Sequence, residues 1–332
     1  MNTFGRIFRV SVFGESHGEG VGVIIDGCPA GMPVNSEDFS EDIIRRQGGN
    51  IKGTTPRKEA DTPFFKSGVF NNTTTGAPLI IFFENTNTQS KDYDKIKDIP
   101  RPGHADFTAH AKFGGFEDYT GGGHFSGRLT LALVAAGVIA KKLIKHLNIN
   151  INTTITNIGG EADIEKGMQK AFDNNDSVGG IVECRVNNLP VGLGEPFFDS
   201  VESLISHAVF AIPAIKGIEF GSGFNAVNMF GSQHNDAILD GKGNTKTNNS
   251  GGINGGITNG NQLVFRIAVK PTSSTPKQQT SYNKTTNRTE EFSIEGRHDL
   301  CIALRVPPVL EAVTAIVLAD LLMIEQKIKK VL

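Results

Sequence analysis

Residues 121–147 read GGGHFSGRLTLALVAAGVIAKKLIKHL. Three glycines run into an apolar stretch that ends in lysines. This predicts one long helix over roughly 126–147, entered through a glycine-only turn. Working outward, β-branched and aromatic runs bounded by glycine predict strands at 7–13, 20–26, 64–70 and 78–85 on one side, and near 151–158, 180–187 and 262–270 on the other. Further helices are expected at 36–47, capped by Ser36 and stopped by Gly48 and Gly49, near 200–211, and at 308–328, where Pro307 and Pro308 stand at the start. Residues 86–106 read as a loop. Strands and helices mix without a regular βαβ alternation, so the class is α+β rather than a doubly wound sheet. No linker divides the chain. One domain over 1–332 is expected, its second half repeating the strand and helix mix of the first.

The 332 residues carry 33 Lys and Arg against 35 Asp and Glu, a formal net charge of −2. That balance argues against a nucleic-acid binder. An anionic small molecule then needs locally placed positive charge. Glycine is in excess, 39 residues against about 23 at average usage, and it has no three-residue period. The cysteines, Cys28, Cys184 and Cys301, lie far apart without a CxxC pair, so neither a metal site nor a disulfide framework is expected. A reducing cytoplasm is the expected compartment. The first residues lack the basic-then-apolar pattern of a signal peptide. The longest charge-free apolar run, 129–140, is shorter than the about 20 residues a bilayer span needs, so no membrane role is expected. Segment 242–261, rich in Gly, Asn and Thr, reads as a mobile surface loop.

Several short segments carry chemistry. GESHG (14–18) follows a strand and sets Ser16 and His17 between glycines. Arg45, Arg46 and Lys52, followed by TTPRKE (54–59), gather cations suited to carboxylates and phosphates. RPGHAD (101–106) places His104 near Asp106, a pairing that can orient an imidazole. GGGHFSGRLT (121–130) offers a glycine-rich turn feeding a helix N-terminus, with Arg128 in the first turn. SGGINGGI (250–257), KPTSST (270–275) and GRHDLC (296–301) add hydroxyls, Lys270 and the run Arg297, His298 and Asp299. Taken singly, each has an ordinary structural explanation: a turn histidine, a helix-end arginine or a surface ion pair. Together they describe a site for a polyanionic ligand with acid–base chemistry. There is no Walker A, GxGxxG, HExxH, GxSxG or EF-hand pattern.

In order along nearly the whole chain, FGESHG, the Arg45–Arg46 patch, TTPRKEAD, SGVF, NTNTQSKDY, RPGHAD, GGG with Ser126 and Arg128, VAAGVIAKK, GLGEP, IPAIKGIEFG, NNSGGINGGITNG, KPTSS and GRHD with Cys301 resemble the chorismate synthase family. These collinear segments form a joint pattern that the separate structural explanations do not predict. The resemblance implies a helical layer sandwiched between two antiparallel β-sheets, a homotetramer, and a cytoplasmic lyase of the shikimate pathway. The reaction implied is conversion of 5-enolpyruvylshikimate 3-phosphate to chorismate and phosphate by a 1,4-elimination that requires reduced FMN. It serves aromatic amino acid biosynthesis. Carried over residue by residue, His17 is the acid toward the departing phosphate and His104 the partner of the reduced flavin. Asp299, with Ser16 and Ser126, supports proton removal through flavin N5. Arg46, Lys52 and Arg128 anchor the substrate, and Arg46 with Lys52 is where NADP contacts fall. FMN contacts fall on His124, Phe125, Ser126, Pro213, Ala214, Gly255, Lys270, Pro271, Thr272, Ser273, Ser274 and Arg297.

The sequence departs from the family where GGGRSSARET is usual. Here His124 and Phe125 replace an Arg and a Ser at the flavin, and Lys52 stands where Arg is usual, without its bidentate grip. These departures motivate an alternative, a non-catalytic FMN- or phosphate-binding relative. Retention of His17, His104, Ser126, Arg128 and Asp299 favours the lyase. With no Rossmann fingerprint or added domain, an external flavin reductant is expected, NADPH being the candidate electron source.

Overall fold

The computed structural model describes residues 2–48, 51–55, 59–87, 97–294 and 298–328. Gly49, Arg57, Arg297 and residues 88–93 of the NTNTQSKDY segment lie outside them.

Among the described residues the strands order into two large antiparallel sheets, with three two-stranded ribbons beside them. The first runs Thr3–Phe4, Arg9–Gly14, Gly20–Asp26, Leu79–Glu84, Phe64–Ser67. Its register sets Val12 opposite Val23, and Val23 opposite Ile81. The second runs Ile215–Phe220, Leu263–Val269, Gly180–Asn187, Asn150–Ile158, with Phe265 opposite Cys184. In Leu263–Val269 buried residues alternate with more exposed ones, the period-two pattern of a sheet with one face on the core.

Two long helices fill the space between the sheets. The first central helix, Thr130–Ile144, packs on the first sheet, and the second, Val306–Ile324, on the second sheet. The two also pack on each other, so the helical layer lies between the sheets as expected. The contact is close: a Cβ on Gly137 would stand 2.2 Å from that of Ala312. Over 302–324 the second helix is long and apolar enough to cross a membrane, yet 89% of its most apolar window is buried within the fold. Counting charge-free residues alone passed over it, because Glu311 interrupts the run. Pro307 and Pro308 stand in its first turn, where a missing N–H costs nothing.

Two buried carboxylates on this helix tie distant segments together. Asp320 accepts from the backbone N–H of Arg6, Ile7 and Phe8 at 2.7–2.9 Å, fixing the N-terminal segment against the core. Glu311 accepts from both Nη1 and Nη2 of Arg45, from Lys141 Nζ and from Thr153 Oγ1. Burial pushes the Glu311 carboxyl up, but the Arg45 hydrogen bonds, then Lys141 and Thr153, outweigh it and hold it at about 2.

Element ends differ from the sequence reading in physically simple ways. The helix expected at 36–47 is a one-turn Ser36–Phe39 segment followed by Ser40–Arg46, and its cap is Asn35, which forms a capping box with Asp38. The loop expected at 86–106 is followed by a short helix, Asp106–Phe113. Helix Ile164–Asn174, strand Ile215–Phe220 and hairpin Gln279–Asn283 with Arg288–Phe292 were not anticipated. Segment 242–261 is pinned rather than loose. Asp236 accepts from Thr247 Oγ1 and from the N–H of Asn249 and Ser250 at 2.7–2.9 Å.

Candidate active site

The three glycines at 121–123 all adopt positive φ, 59°, 79° and 52°. A side chain there meets both strain and collision. A Cβ on Gly121 would lie 2.5 Å from His17 Cδ2 and 2.9 Å from Ser16 Oγ, and one on Gly122 would lie 3.3 Å from His104 Cε1. The bare backbone thus lets the GESHG and RPGHAD segments approach from two sides. Ser16 N–H donates to the Gly123 carbonyl at 3.1 Å and completes the junction.

A cavity of about 770 Å³ opens beside this turn, within the about 300–1,000 Å³ typical of small-molecule sites. Ser16, His104, His124, Phe125, Ser126, Pro213, Ala214, Arg46, Arg128, Asp299 and every residue from Lys270 to Ser274 line it. Three of the expected residues that the structure describes do not. His17 lies behind Gly121, beside Ser16. Lys52 is exposed and sets its Nζ over the Phe172 ring, 4.7 Å from the centroid. Gly255, exposed, sits at the turn between the two-residue strands Ile253–Asn254 and Ile257–Thr258. The residues that line the cavity come from the first sheet, both central helices and the loops that flank strands Ile215–Phe220 and Leu263–Val269, so no one segment of sequence contains the site.

Permanent cations outnumber carboxylates along the lining. Arg46, Arg101, Arg128, Lys270 and Arg305 face Glu59, Asp61 and Asp299. This is the local positive charge that a net charge of −2 requires for an anionic ligand. The arginines are held in place. Arg46, 3% exposed, donates Nε to Thr130 Oγ1 at 2.9 Å and Nη2 to the carbonyls of Gly127 and Arg128 at 3.0 and 3.2 Å. Burial, then the neighbouring charge of Arg305, pushes its guanidinium down. Arg128 is paired with Asp61 through Nη1 and donates Nε to Asn85 Oδ1 at 3.0 Å. Asp61 itself is buried in a left-handed conformation, φ 47°. Arg45, grouped with Arg46 in the sequence, points instead to Glu311 and serves the core.

His104 is held by Asp106 and Arg101. Nδ1 lies 2.5 Å from Asp106 Oδ1, and Arg101 Nη2, which donates to the same Oδ1 at 2.8 Å, lies 3.0 Å from Nδ1 and 3.2 Å from Nε2. A carboxylate only accepts, so Asp106 selects the Nδ1–H tautomer. Arg101 also donates Nε to Asp106 Oδ2 at 2.7 Å and Nη1 to Ser274 Oγ at 3.3 Å, which connects RPGHAD to the KPTSST loop. Burial alone would raise the Asp106 carboxyl. Arg101 first, and His104 second, outweigh burial and hold it well below the usual carboxylate range. Lys270 donates Nζ to the Gly103 carbonyl and to Ser273 Oγ, on the same seam.

Elsewhere on the lining, Asp299 Oδ1 accepts from Thr55 N–H at 2.8 Å and Oδ2 from Arg305 Nη1 at 2.9 Å. His124 Nδ1 donates to the Gly14 carbonyl at 2.8 Å, which leaves Nε2 as its free ring atom. Phe125 is 40% exposed and tilts against Phe113 at 6.2 Å. Ala214 is held at φ 72°, a strained value for a non-glycine residue at the cavity wall. The sequence reading missed Arg101 and Arg305. The pairing of Arg101 with Asp106 inside RPGHAD was a usable signal, whereas Arg305 had none.

The lining also presents unsatisfied polar atoms. Ser16 Oγ, in a residue only 1% exposed, and Thr272 Oγ1 are buried without a hydrogen-bond partner among the described residues. Buried hydroxyls are normally paired, so these two suit a polar ligand that occupies the cavity. Burial pushes Cys28 up to about 12 and Cys301 up to about 11, so neither thiol supplies a nucleophile near neutral pH.

The family described as chorismate synthase matches residues 8–323. A chorismate synthase of Chitinophaga pinensis is 65% identical over 331 residues, covering 100% of this chain and 99% of its own length. One from Methanocaldococcus jannaschii is 43% identical, covering 97% and 96%. Among solved structures, a crystal structure of a chorismate synthase superposes with a TM-score of 0.75 at 27% identity, covering 97% of this chain and 93% of that one.

Proposed function

The chain belongs to the chorismate synthase family, and from that premise we propose that it is the lyase that converts 5-enolpyruvylshikimate 3-phosphate to chorismate and phosphate by a 1,4-elimination with reduced FMN bound. The observation that carries this reading is the single cavity that gathers Ser16, His104, Ser126, Arg128 and Asp299 with the Lys270–Ser274 loop. Scattered motifs have no reason to converge unless they act on one ligand set.

The residues present fit a flavin. Its holders would be His124, Phe125, Ser126, Pro213, Ala214 and Lys270 to Ser274, with the unpartnered hydroxyls of Ser16 and Thr272 as additional donors. When bound, reduced FMN supplies the electron density that lets phosphate leave without net redox change. The rest is the work of the chain. Arg46 and Arg128 present positive charge to a substrate that bears one phosphate and two carboxylates. Their own hydrogen bonds fix them before the substrate arrives, which lowers the ordering cost of binding. His104 holds its proton at Nδ1 against Asp106. Asp299, held at both oxygens, is the carboxylate assigned to proton transfer in this reading. His17, one residue from Ser16 behind the glycine turn, is proposed as the acid toward the departing phosphate. Lys52 and Gly255, outside the cavity wall, are assigned no contact within this chain.

The retained acid–base groups favour catalysis over the alternative of a binding-only relative. Product formation decides between the two. Chorismate formed from the phosphate ester by the purified protein with reduced FMN supports the lyase. Tight FMN binding by a folded protein that forms no product supports the binding-only relative and points to His124 and Phe125. A homotetramer, a cytoplasmic setting and an external reductant, with NADPH as its electron source, complete the proposal.

A further inference from the structure

Arg305 stands six residues beyond Asp299, at the end of the one-turn helix Ile302–Arg305 that leads into the second central helix. That turn brings its guanidinium back toward the cavity, which it lines. Nη1 donates to Asp299 Oδ2 at 2.9 Å, and Nε donates to the main-chain carbonyl of Arg46, also at 2.9 Å. Arg46 is the last residue of helix Ser40–Arg46, so this carbonyl is one of the end groups a helix leaves without an internal partner. With Thr55 N–H on Oδ1, both oxygens of Asp299 are taken and the carboxylate is fixed. One planar guanidinium therefore ties the Asp299 carboxylate to the end of the helix that carries Arg46.

We propose that Arg305 is a positioning residue of this site, acting through Asp299 and the end of the helix that carries Arg46. The inference rests on reading Asp299 as the proton-handling carboxylate. Arg305 exchanges no proton or group with the substrate. It holds geometry, and a displacement of about 1 Å in a reacting group can cost about 100-fold in rate. Lysine can keep a charge toward Asp299 but cannot span both acceptors.

The test compares Arg305→Gln, Arg305→Lys, Asp299→Ala and the double variant Arg305→Gln with Asp299→Ala, by steady-state phosphate release with reduced FMN. Arg305→Gln is expected to lower kcat by about 10- to 100-fold and to change KM by less than about 3-fold, because the lost interaction acts on chemistry rather than binding. Arg305→Lys recovers part of the loss, and it carries the test if the glutamine variant melts early. In the Asp299→Ala background, Arg305→Gln should cost less than about 2-fold more, since residues that act as a unit are non-additive. Full additivity, or a KM effect with kcat intact, would make Arg305 an independent anion anchor and overturn the inference. An Arg305→Gln enzyme as fast as the parent would overturn it too, while leaving the reading of the cavity intact. An unaltered protein that releases no phosphate overturns both.

Discussion

His104 illustrates how much a site residue depends on its neighbours. Asp106 accepts from its Nδ1, Arg101 lies against the ring and donates to the same carboxylate, and the glycine at 122 gives its ring room. His104→Ala is expected to cut turnover by about 10²–10⁴, the usual range for a lost proton-transfer group. Asp106→Asn should also reduce turnover, by a smaller factor, because an amide can present its N–H to Nδ1 and select the wrong tautomer. Near-parental rates in either variant, measured at saturating reduced FMN, would contradict the assignment. The sequence exposed His104 and Asp106 because they are close in one segment. It could not expose Arg305, whose role depends on a carbonyl 259 positions away.

At the scale of elements, the two central helices decide stability. Gly137 permits their contact, and Gly137→Ala should lower stability by about 1–3 kcal/mol, the typical cost of overpacking a tight core. Equilibrium denaturation checks it, and an unchanged midpoint would refute the close packing. Glu311 adds a pH dependence. Its carboxyl is lowered from 4.5 to about 2 in the fold, so its contribution is fully present above about pH 4.5 and is lost as pH falls toward about 2. Glu311→Gln should therefore be destabilising at neutral pH, with its deficit against the parent shrinking over that window. A deficit constant from pH 7 to 3 would contradict the network. Strands and central helices were legible because burial imposes periods of two and of about 3.6 residues. Helix Ile164–Asn174 was not anticipated, although its amphipathic pattern and Asp163 cap were available in the sequence. The capping error at Ser36 arose because Asn35 and Ser36 are both good caps, and only the reciprocal bond from Asp38 distinguishes them.

At the scale of the whole molecule, a chain of net charge −2 concentrates cations on one cavity between two sheets. Composition showed that such concentration was needed, and the ordered motifs indicated which residues supply it. What neither could show was which motif residues reach the common space. Arg46 does and Lys52 does not, although both sit in one basic patch, because Arg46 is buried at a helix end while Lys52 lies on Phe172 at the surface. The central claim is that this cavity eliminates phosphate only when a reduced flavin is present. The most direct measurement is anaerobic phosphate release from 5-enolpyruvylshikimate 3-phosphate, with chemically reduced FMN in one vessel and oxidised FMN in the other. Release confined to the reduced vessel is the predicted result. Equal release in both, or none in either from a folded protein that binds FMN, would contradict the account.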